Sequence, residues 1–170
     1  MNRGQIRDKV LTHLREDPDA PVRWTLSEVN RYLDDGYREM AELTGAETRT
    51  DIITVQANNN FYTLDSDVLY PIAIQDILRE KPMDPVHWTF IDEIDGIWIR
   101  TRRTTADLYA AWGGAELLIY PAPPENRDLT LYSAIIPAGL PADASEPSFP
   151  AQYHVGLVEY GRRLERLRAG

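Results

Sequence analysis

Hydrophobic positions recur with helical spacing at both ends of the chain. Residues 3–15 place apolar side chains three or four positions apart, which predicts an amphipathic helix. A second helix is predicted from the capping-box pattern at 25–28 (Thr-Leu-Ser-Glu) to Gly45, a residue type that suits a helix C-terminus. The stretch 150–168 repeats the helical spacing. We therefore expect two N-terminal helices and one C-terminal helix.

The middle of the chain has a different hydrophobic period. From about residue 51, apolar positions alternate or form short runs, which is typical of β-strands. Residues 51–64 are predicted to form a β-hairpin, with strands Ile52–Val55 and Phe61–Leu64 around an asparagine-rich turn. Further predicted elements are a short helix near 88–95 and strands within 70–78, 97–99, 108–109, 116–120 and 129–135.

The order of these elements predicts an α+β fold, in which a helical bundle carries a β-rich middle insertion. We expect residues 1–170 to form a single domain. Its helical part comprises 1–48 and 150–168, and its β-rich extension comprises 49–136. The intervening loop, 137–149, is rich in proline, alanine, aspartate and serine, and we expect it to bury little.

Charge is distributed unevenly along the 170-residue chain, whose formal net charge is −9. Residues 51–149 carry 15 acidic and 6 basic side chains, whereas 150–170 carry 2 acidic and 4 basic ones. Such an acidic surface does not favour binding to nucleic-acid phosphates. No apolar run approaches the roughly 18 residues of a membrane helix. The N-terminal stretch is charged rather than apolar, so we expect no signal peptide.

The residues that usually carry chemistry are sparse. The absence of cysteine excludes disulfides, thiolate nucleophiles and cysteine-bound metals, and three scattered histidines do not favour a metal site. Asp92, Glu93 and Asp95 can in principle act as acid catalysts or metal ligands, but neighbours in sequence are more often a solvated edge. No phosphate-binding glycine motif or nucleophile motif occurs. We predict no enzyme, catalytic residue, metal or cofactor.

Basic and aromatic side chains are better candidates for binding. Arg100, Arg102 and Arg103 form a small basic patch, and on a strand the first two would share a face. The terminal helix is basic, which either complements its dipole or suits an acidic partner. Four tryptophans and nine tyrosines are a large aromatic content, and aromatic side chains serve both cores and interfaces. The basic residues of the terminal helix are Arg162, Arg163, Arg166 and Arg168.

A family resemblance runs along nearly the whole chain. Its segments are 7–11 (Arg-Asp-Lys-Val-Leu), 23–29 (Arg-Trp-Thr-Leu-Ser-Glu-Val), 37–45 (Tyr-Arg-Glu-Met-Ala-Glu-Leu-Thr-Gly), the strand pair at 52–55 and 61–64, 81–85 (Lys-Pro-Met-Asp-Pro), 117–123 (Leu-Leu-Ile-Tyr-Pro-Ala-Pro) and 150–160. Each segment is weakly specific, but their joint order resembles the tailed-bacteriophage head–tail adaptor, or connector, proteins.

The resemblance implies a virion structural protein at the head–tail junction, made in the cytoplasm of the host bacterium. It implies a homo-oligomeric ring, usually a dodecamer, that binds the portal protein and receives the next neck or tail protein. The ring would form part of the channel that links capsid to tail. Double-stranded DNA would pass without specific binding, and an acidic lining would lower friction by like-charge repulsion. No membrane is implied.

Two groups of residues become interface hypotheses on this basis. The portal-docking candidates are Arg162, Arg163, Arg166, Tyr153 and His154. The candidates for a tail-side or subunit interface are Arg100, Arg102, Arg103, Trp98 and Trp112.

Three alternatives remain open from the sequence. The chain can be another neck component, a stopper or tail-junction protein that does not bind portal directly. A helix-turn-helix regulator built on 3–15 and 26–44 is less favoured, because the proline-broken connection is longer than the usual tight turn. An acid-pair hydrolase using Asp92 and Asp95 has the least support.

Overall fold

The computed structural model describes residues 1–163, in which four α-helices and two four-stranded sheets occur. Helices lie at both ends of the chain and the strands lie between them, so the predicted α+β fold is confirmed. The chain divides into two compact units. The helical unit contains Met1–Glu47 and the chain from Ile136 onward, and the β-unit contains Thr48–Ile135.

Local capping explains where the N-terminal helices begin. Helix α1 (Arg3–His13) starts with a capping box, in which the Asn2 side chain and the Gln5 side chain each bind the other residue's backbone N–H. Helix α2 (Leu26–Thr44) starts with the predicted capping box of Thr25 and Glu28. It ends at Gly45, whose φ of 59° is a left-handed conformation that glycine adopts at low cost.

The helical unit is held together by the packing of α4 (His154–Arg162) against α1 and α2. Gly161 allows the close approach to α1, since a Cβ atom there would lie 2.5 Å from a Val10 methyl group. Gly36 of α2 similarly faces the ring of Tyr160. The core of this unit consists of Ile6, Val10, Leu11, Leu14, Trp24, Val29, Leu33, Tyr37, Leu140, Phe149, Leu157 and Val158.

The segment 137–149 packs more closely than the sequence suggested. We expected it to bury little, yet Leu140 and Phe149 are both buried in the helical core. Polar bonds hold the rest of the segment in place. The Asp34 carboxylate accepts the N–H of Leu140, and the Arg38 guanidinium donates to the carbonyl of Ala138. The sequence did not indicate this packing, because Leu140 and Phe149 are isolated apolar residues in a polar segment and form no periodic pattern.

The β-unit contains two sheets. Their strands are β1 (Thr48–Val55), β2 (Phe61–Thr63), β3 (Val68–Asp76), β4 (Lys81–Pro82), β5 (Asp84–Pro85), β6 (Leu108–Trp112), β7 (Glu116–Tyr120) and β8 (Arg127–Ile135). The first sheet has the order β1-β8-β3-β4 and the second has the order β2-β7-β6-β5. A core cluster of the unit consists of Val55, Ile74, Met83, Ala106, Tyr109, Leu117, Ile119, Leu129 and Leu131.

The predicted hairpin over 51–64 is wrong, although both of its strands exist. Strand β1 pairs antiparallel with β8 along its whole length, whereas β2 pairs with β7 in the other sheet. The turn between them directs the chain away, because Asn58 has a φ of 63° and its N–H donates to the carbonyl of Pro123. Strand β1 therefore pairs along its whole length with β8, which is distant in sequence, and not with β2.

Two other predicted elements also differ. Ile97–Ile99 is not a strand, because residues Trp98–Arg100 form a 3-10 turn after the short helix α3 (Trp88–Ile94). The Asp95 side chain fixes this turn by accepting the N–H of Ile97. The C-terminal helix begins later than expected, after a 3-10 turn at Ala151–Tyr153, and the part of its predicted range after residue 163 lies outside the described residues.

Candidate interaction surfaces

The acidic residues around α3 serve the structure of the β-unit. The Asp92 carboxylate accepts the indole N–H of Trp98 at 3.2 Å. Asp95 accepts hydrogen bonds from the hydroxyls of Thr101 and Tyr120, and chiefly the first of these lowers its pKa. Both carboxylates are therefore engaged in fixing the turn that follows the helix. Within residues 1–163, no group of three or more histidine, aspartate or glutamate residues could hold a metal ion.

Several apolar side chains close together in sequence are exposed on the β-unit, and we call this set the α3 surface. It consists of side chains from helix α3 and the following turn that remain exposed, and Ile97 is 69% exposed. Exposed apolar patches of this kind commonly mark protein interfaces. The α3 surface comprises Trp88, Phe90, Ile94, Ile97 and Ile99.

The two tryptophans predicted for an interface lie at the base of this surface. Trp98 is only 6% exposed and contributes to a buried cluster with Ile91. Trp112 is half-buried, and its ring lies 5.2 Å from that of Trp88 and 5.5 Å from that of Phe61. The pair therefore supports the α3 surface from below, while the contact positions are mainly isoleucine and phenylalanine.

The predicted arginine patch follows the α3 surface directly in sequence. Arg100 and Arg103 are exposed, while Arg102 donates to the carbonyls of Ile99 and Thr101. Arg100 ends the 3-10 turn, so the expectation that it shares a strand face with Arg102 is wrong. The three arginines thus follow the apolar side chains directly in sequence, and two of them are exposed.

A cleft of about 560 Å³ opens on the helical unit between α2 and α4. Its apolar wall includes Met40 and Leu43, and Leu43 is 79% exposed. Gly156 keeps the cleft open near Met40, because a Cβ atom at this position would come within 3.1 Å of the Met40 methyl group. The lining residues are Glu39, Met40, Leu43, Gly156, Glu159, Tyr160, Arg162 and Arg163.

Charged groups at this cleft are already partly paired. The Arg162 guanidinium bonds both carboxylate oxygens of Glu159 at 3.0 Å, and that of Arg163 lies 5.3 Å from the centre of the Tyr160 ring. A hydrogen bond to Glu39, with burial, raises the pKa of Tyr160 to about 12. Tyr160 therefore stays neutral at physiological pH, and both arginines remain exposed to solvent.

The remaining portal-docking candidates have different environments. Tyr153 is exposed immediately before α4. His154 is buried, with Nε2 bonded to the carbonyl of Phe149 and Nδ1 bonded to the α-amine of Met1. Its side chain thus joins distant parts of the helical unit and is not available at the exterior. Arg166 lies outside the described residues.

Sequence reasoning missed both the α3 surface and the α2–α4 cleft. A signal for the first was present, since isoleucine, tryptophan and phenylalanine are dense from 88 to 99. Their exposure depends on the change from helix to 3-10 turn, which the strand prediction concealed. The cleft gave no comparable signal, because Met40 and Leu43 simply continue the apolar face of α2.

These features define a class of protein. In the described part of the chain, the prominent exterior features are apolar and charged surfaces on two compact units, as in a structural subunit of a larger assembly. No helix in that part is long and apolar enough to span a membrane.

Residues 1–168 match the family model described as SU10 adaptor protein. The chain belongs to this family of phage head–tail adaptors and is a structural phage protein, which confirms the resemblance seen in the sequence. A virion location and partners in the phage neck follow from membership. No curated protein gives a significant match.

Proposed function

We propose that this chain forms a head–tail adaptor ring that docks on the portal and contributes to the DNA channel. The observation that carries the proposal is the presence of two separate exposed surfaces on one adaptor-family chain, the α2–α4 cleft and the α3 surface. A cyclic ring needs two different faces on each subunit, and a neck protein needs further surfaces for its neighbours. Twelve copies would match the usual family ring.

Portal docking is assigned to α4 and the cleft beside it. Arg162 and Arg163 are exposed there, and Arg166 continues the same basic sequence. Tyr153 adds an exposed aromatic side chain just before the helix. An acidic portal segment with an apolar anchor suits this combination, because the anchor can enter between Met40 and Leu43 while its acids meet the arginines.

The α3 surface is assigned to the neighbouring subunit or to the next neck protein. Its isoleucine and aromatic side chains supply an apolar centre, with Trp98 and Trp112 beneath them. Arg100, Arg102 and Arg103 supply the charged rim. An apolar centre with a charged rim is the usual anatomy of a protein interface.

DNA passes through the proposed ring without specific binding. The acidic excess of residues 51–149 supports this role, since like charge repels the phosphate backbone and keeps DNA from adhering during ejection. The chain is thus proposed to act without catalysis and without a cofactor.

Native mass spectrometry of the chain with and without its cognate portal tests the proposal. We expect many equivalent copies, twelve by the family pattern, to add to one portal ring. Reversing Arg162, Arg163 and Arg166 to glutamate should abolish docking. The same reversal at Lys9, Arg15 and Arg31, which are exposed and belong to neither proposed surface, is the matched control and should leave portal binding intact. A folded chain that does not associate with portal would instead identify a more distal stopper or tail-junction protein.

A further inference from the structure

Strand β1 presents a long unpaired edge. It runs for 8 residues, pairs with β8 on one side, and has no strand partner on the other side within the described residues. Its Ile52 side chain is 69% exposed, and Thr48, Thr50 and Thr54 are exposed too. An edge of this length and composition is a ready template for pairing with another strand.

The remaining edges of the two sheets are short or obstructed. Strand β2 has 3 residues, and β4 and β5 have 2 each. Strand β3 carries Pro71, which has no N–H, and the Tyr109 hydroxyl occupies the carbonyl of Ile72. Among the strands that the structure describes, only β1 therefore offers a regular edge along its whole length.

The hydrogen-bonding register identifies which backbone groups of β1 are free. The backbone carbonyl of Ile74 in β3 accepts the N–H of Met83. The backbone N–H and C=O groups of Ile74 therefore point away from β8. In an antiparallel ladder, hydrogen-bonded and non-hydrogen-bonded residue pairs alternate. The backbone groups of Leu131, the partner of Ile74 in β8, therefore point away from β3 and toward Asp51 of β1. By the same alternation, the N–H and C=O groups of Thr50, Ile52 and Thr54 point to the open edge.

We propose that a second copy of this chain pairs with β1 antiparallel about a two-fold axis at Ile52. A neighbouring strand must align the outward-pointing residues with each other. Two registers do so over nearly the whole strand, one centred on Ile52 and one centred on Asp51. Centring on Asp51 would place two carboxylates directly opposite in the closely spaced type of pair, which is unfavourable.

The register centred on Ile52 is self-complementary. Ile52 lies opposite Ile52 of the second copy, and Thr50 lies opposite Thr54 of the second copy. On the exposed face, the apolar side chains therefore contact each other, and so do the threonine side chains. Asp51 lies opposite Ile53 rather than another acid. The two β1 strands would join two four-stranded sheets into one continuous sheet.

This pairing goes beyond the proposed adaptor ring. An isologous two-fold contact cannot repeat around a cyclic ring, which uses head-to-tail contacts. Pairing through β1 therefore belongs to the chain before it joins the ring, and it covers an edge that would otherwise aggregate. Ring entry then requires the pair to separate.

Single cysteines can report the register, because the chain contains no cysteine of its own. Paired residues in such a register lie about 5.5 Å apart at Cα, within the disulfide range. Ile52→Cys should give a disulfide-linked dimer by itself under mild oxidation. Thr50→Cys and Thr54→Cys should crosslink only when the two variants are mixed. Crosslinking of Thr50→Cys alone to the same extent would overturn the proposed register.

A backbone variant tests pairing without cysteine. The N–H of Ile52 is not used toward β8, so Ile52→Pro removes an edge donor while leaving that ladder bonded. Light scattering should show a twofold lower mass than for the Ile52→Thr control, which keeps the donor. Equal melting temperatures of the two variants would establish that both are folded. A wild-type chain that stays monomeric at high micromolar concentration overturns the pairing, whereas failure to bind portal bears only on the adaptor proposal.

Discussion

At the scale of single residues, the ion pair of Asp76 and Arg127 links separate parts of the β-unit. Asp76 is 1% exposed, and one of its carboxylate oxygens accepts from Arg127 at 2.9 Å. Its other oxygen accepts the N–H of Leu78 at 3.0 Å. The carboxylate thus joins β8 to the end of β3 and to the turn that follows it.

Replacing Asp76 with asparagine should therefore destabilise the β-unit strongly. The change leaves the Arg127 charge buried without its partner, and breaking a buried pair in this way costs about 3–5 kcal/mol. Urea unfolding monitored by circular dichroism measures the effect. Asp128→Asn is the control, because Asp128 is exposed and binds only the Thr54 hydroxyl among the described contacts. A loss below about 1 kcal/mol for Asp76→Asn would show that the pair contributes little beyond its surroundings.

Residue types alone did not separate core positions from interface positions. Trp98 and His154 were both predicted to contact partners, yet both are buried. Aromatic and histidine side chains have an apolar body and a polar tip, so they suit either place equally well. Their environment is decided by contacts that are distant in sequence, such as the bond from His154 to the Met1 amine.

At the scale of elements, the crossing of α1 and α4 depends on Gly161. Substitution with alanine should lower the free energy of unfolding by about 1–3 kcal/mol, because the added methyl group would overlap Val10 and force the helices apart. Thermal or urea unfolding measures the change. Gly114→Ala is a matched control, since a Cβ atom there meets nothing within 4 Å. Equal effects of the two substitutions would contradict close packing at the crossing.

The docking of the 137–149 segment on α1 should depend on pH. Hydrogen bonds from Arg7 and Arg3 lower the pKa of Asp143 below its usual value. The pKa of Asp143 is thus lower in the folded than in the unfolded state. The stabilisation by its carboxylate is therefore complete above the unfolded-state pKa of about 3.9, and it disappears as the pH falls through the folded-state pKa.

The corresponding measurement compares melting temperatures of the wild type and Asp143→Asn from pH 7 to pH 2.5. We expect the wild type to melt higher at neutral pH and the difference to shrink once the pH falls below about 4. A difference that stays constant over this range would mean that the Asp143 charge does not contribute. Asp19→Asn, at an exposed position in the α1–α2 connection, should show little difference at any pH.

The helices and strands could be predicted where the signals for them are local in sequence. The pairing of the strands could not be predicted in this way. The start of α2 follows from Thr25 and Glu28 and its end from Gly45, so the sequence located both. The alternation in β1 also revealed a strand, but alternation is satisfied by any partner of the same pattern. The actual partner, β8, lies more than 70 positions away, and the asparagine turn that mimicked a hairpin signal leads to the other sheet.

At the scale of the whole molecule, the β-unit is an insertion in the helical unit. It is one continuous segment, Thr48–Ile135, with its own core. Its two ends are neighbours, because Thr48 is paired with Ala134 in the β1–β8 ladder. An inserted segment with adjacent ends can be accommodated without disturbing the fold that surrounds it. The hydrophobic period of the sequence also changes near residue 51.

The isolated segment 48–135 should consequently fold without the helical unit. Its strands find their partners within the segment, and its buried Asp76–Arg127 pair is internal too. Amide NMR spectra provide the measurement: most signals of the fragment should coincide with signals of the full chain, except near the two cut ends. The full chain should then unfold in two transitions, with Gly161→Ala shifting only one of them. A fragment with the narrow amide dispersion of an unfolded chain would instead show that the β-unit requires the helices. The contacts within the β-unit would then be too few to stabilise it alone.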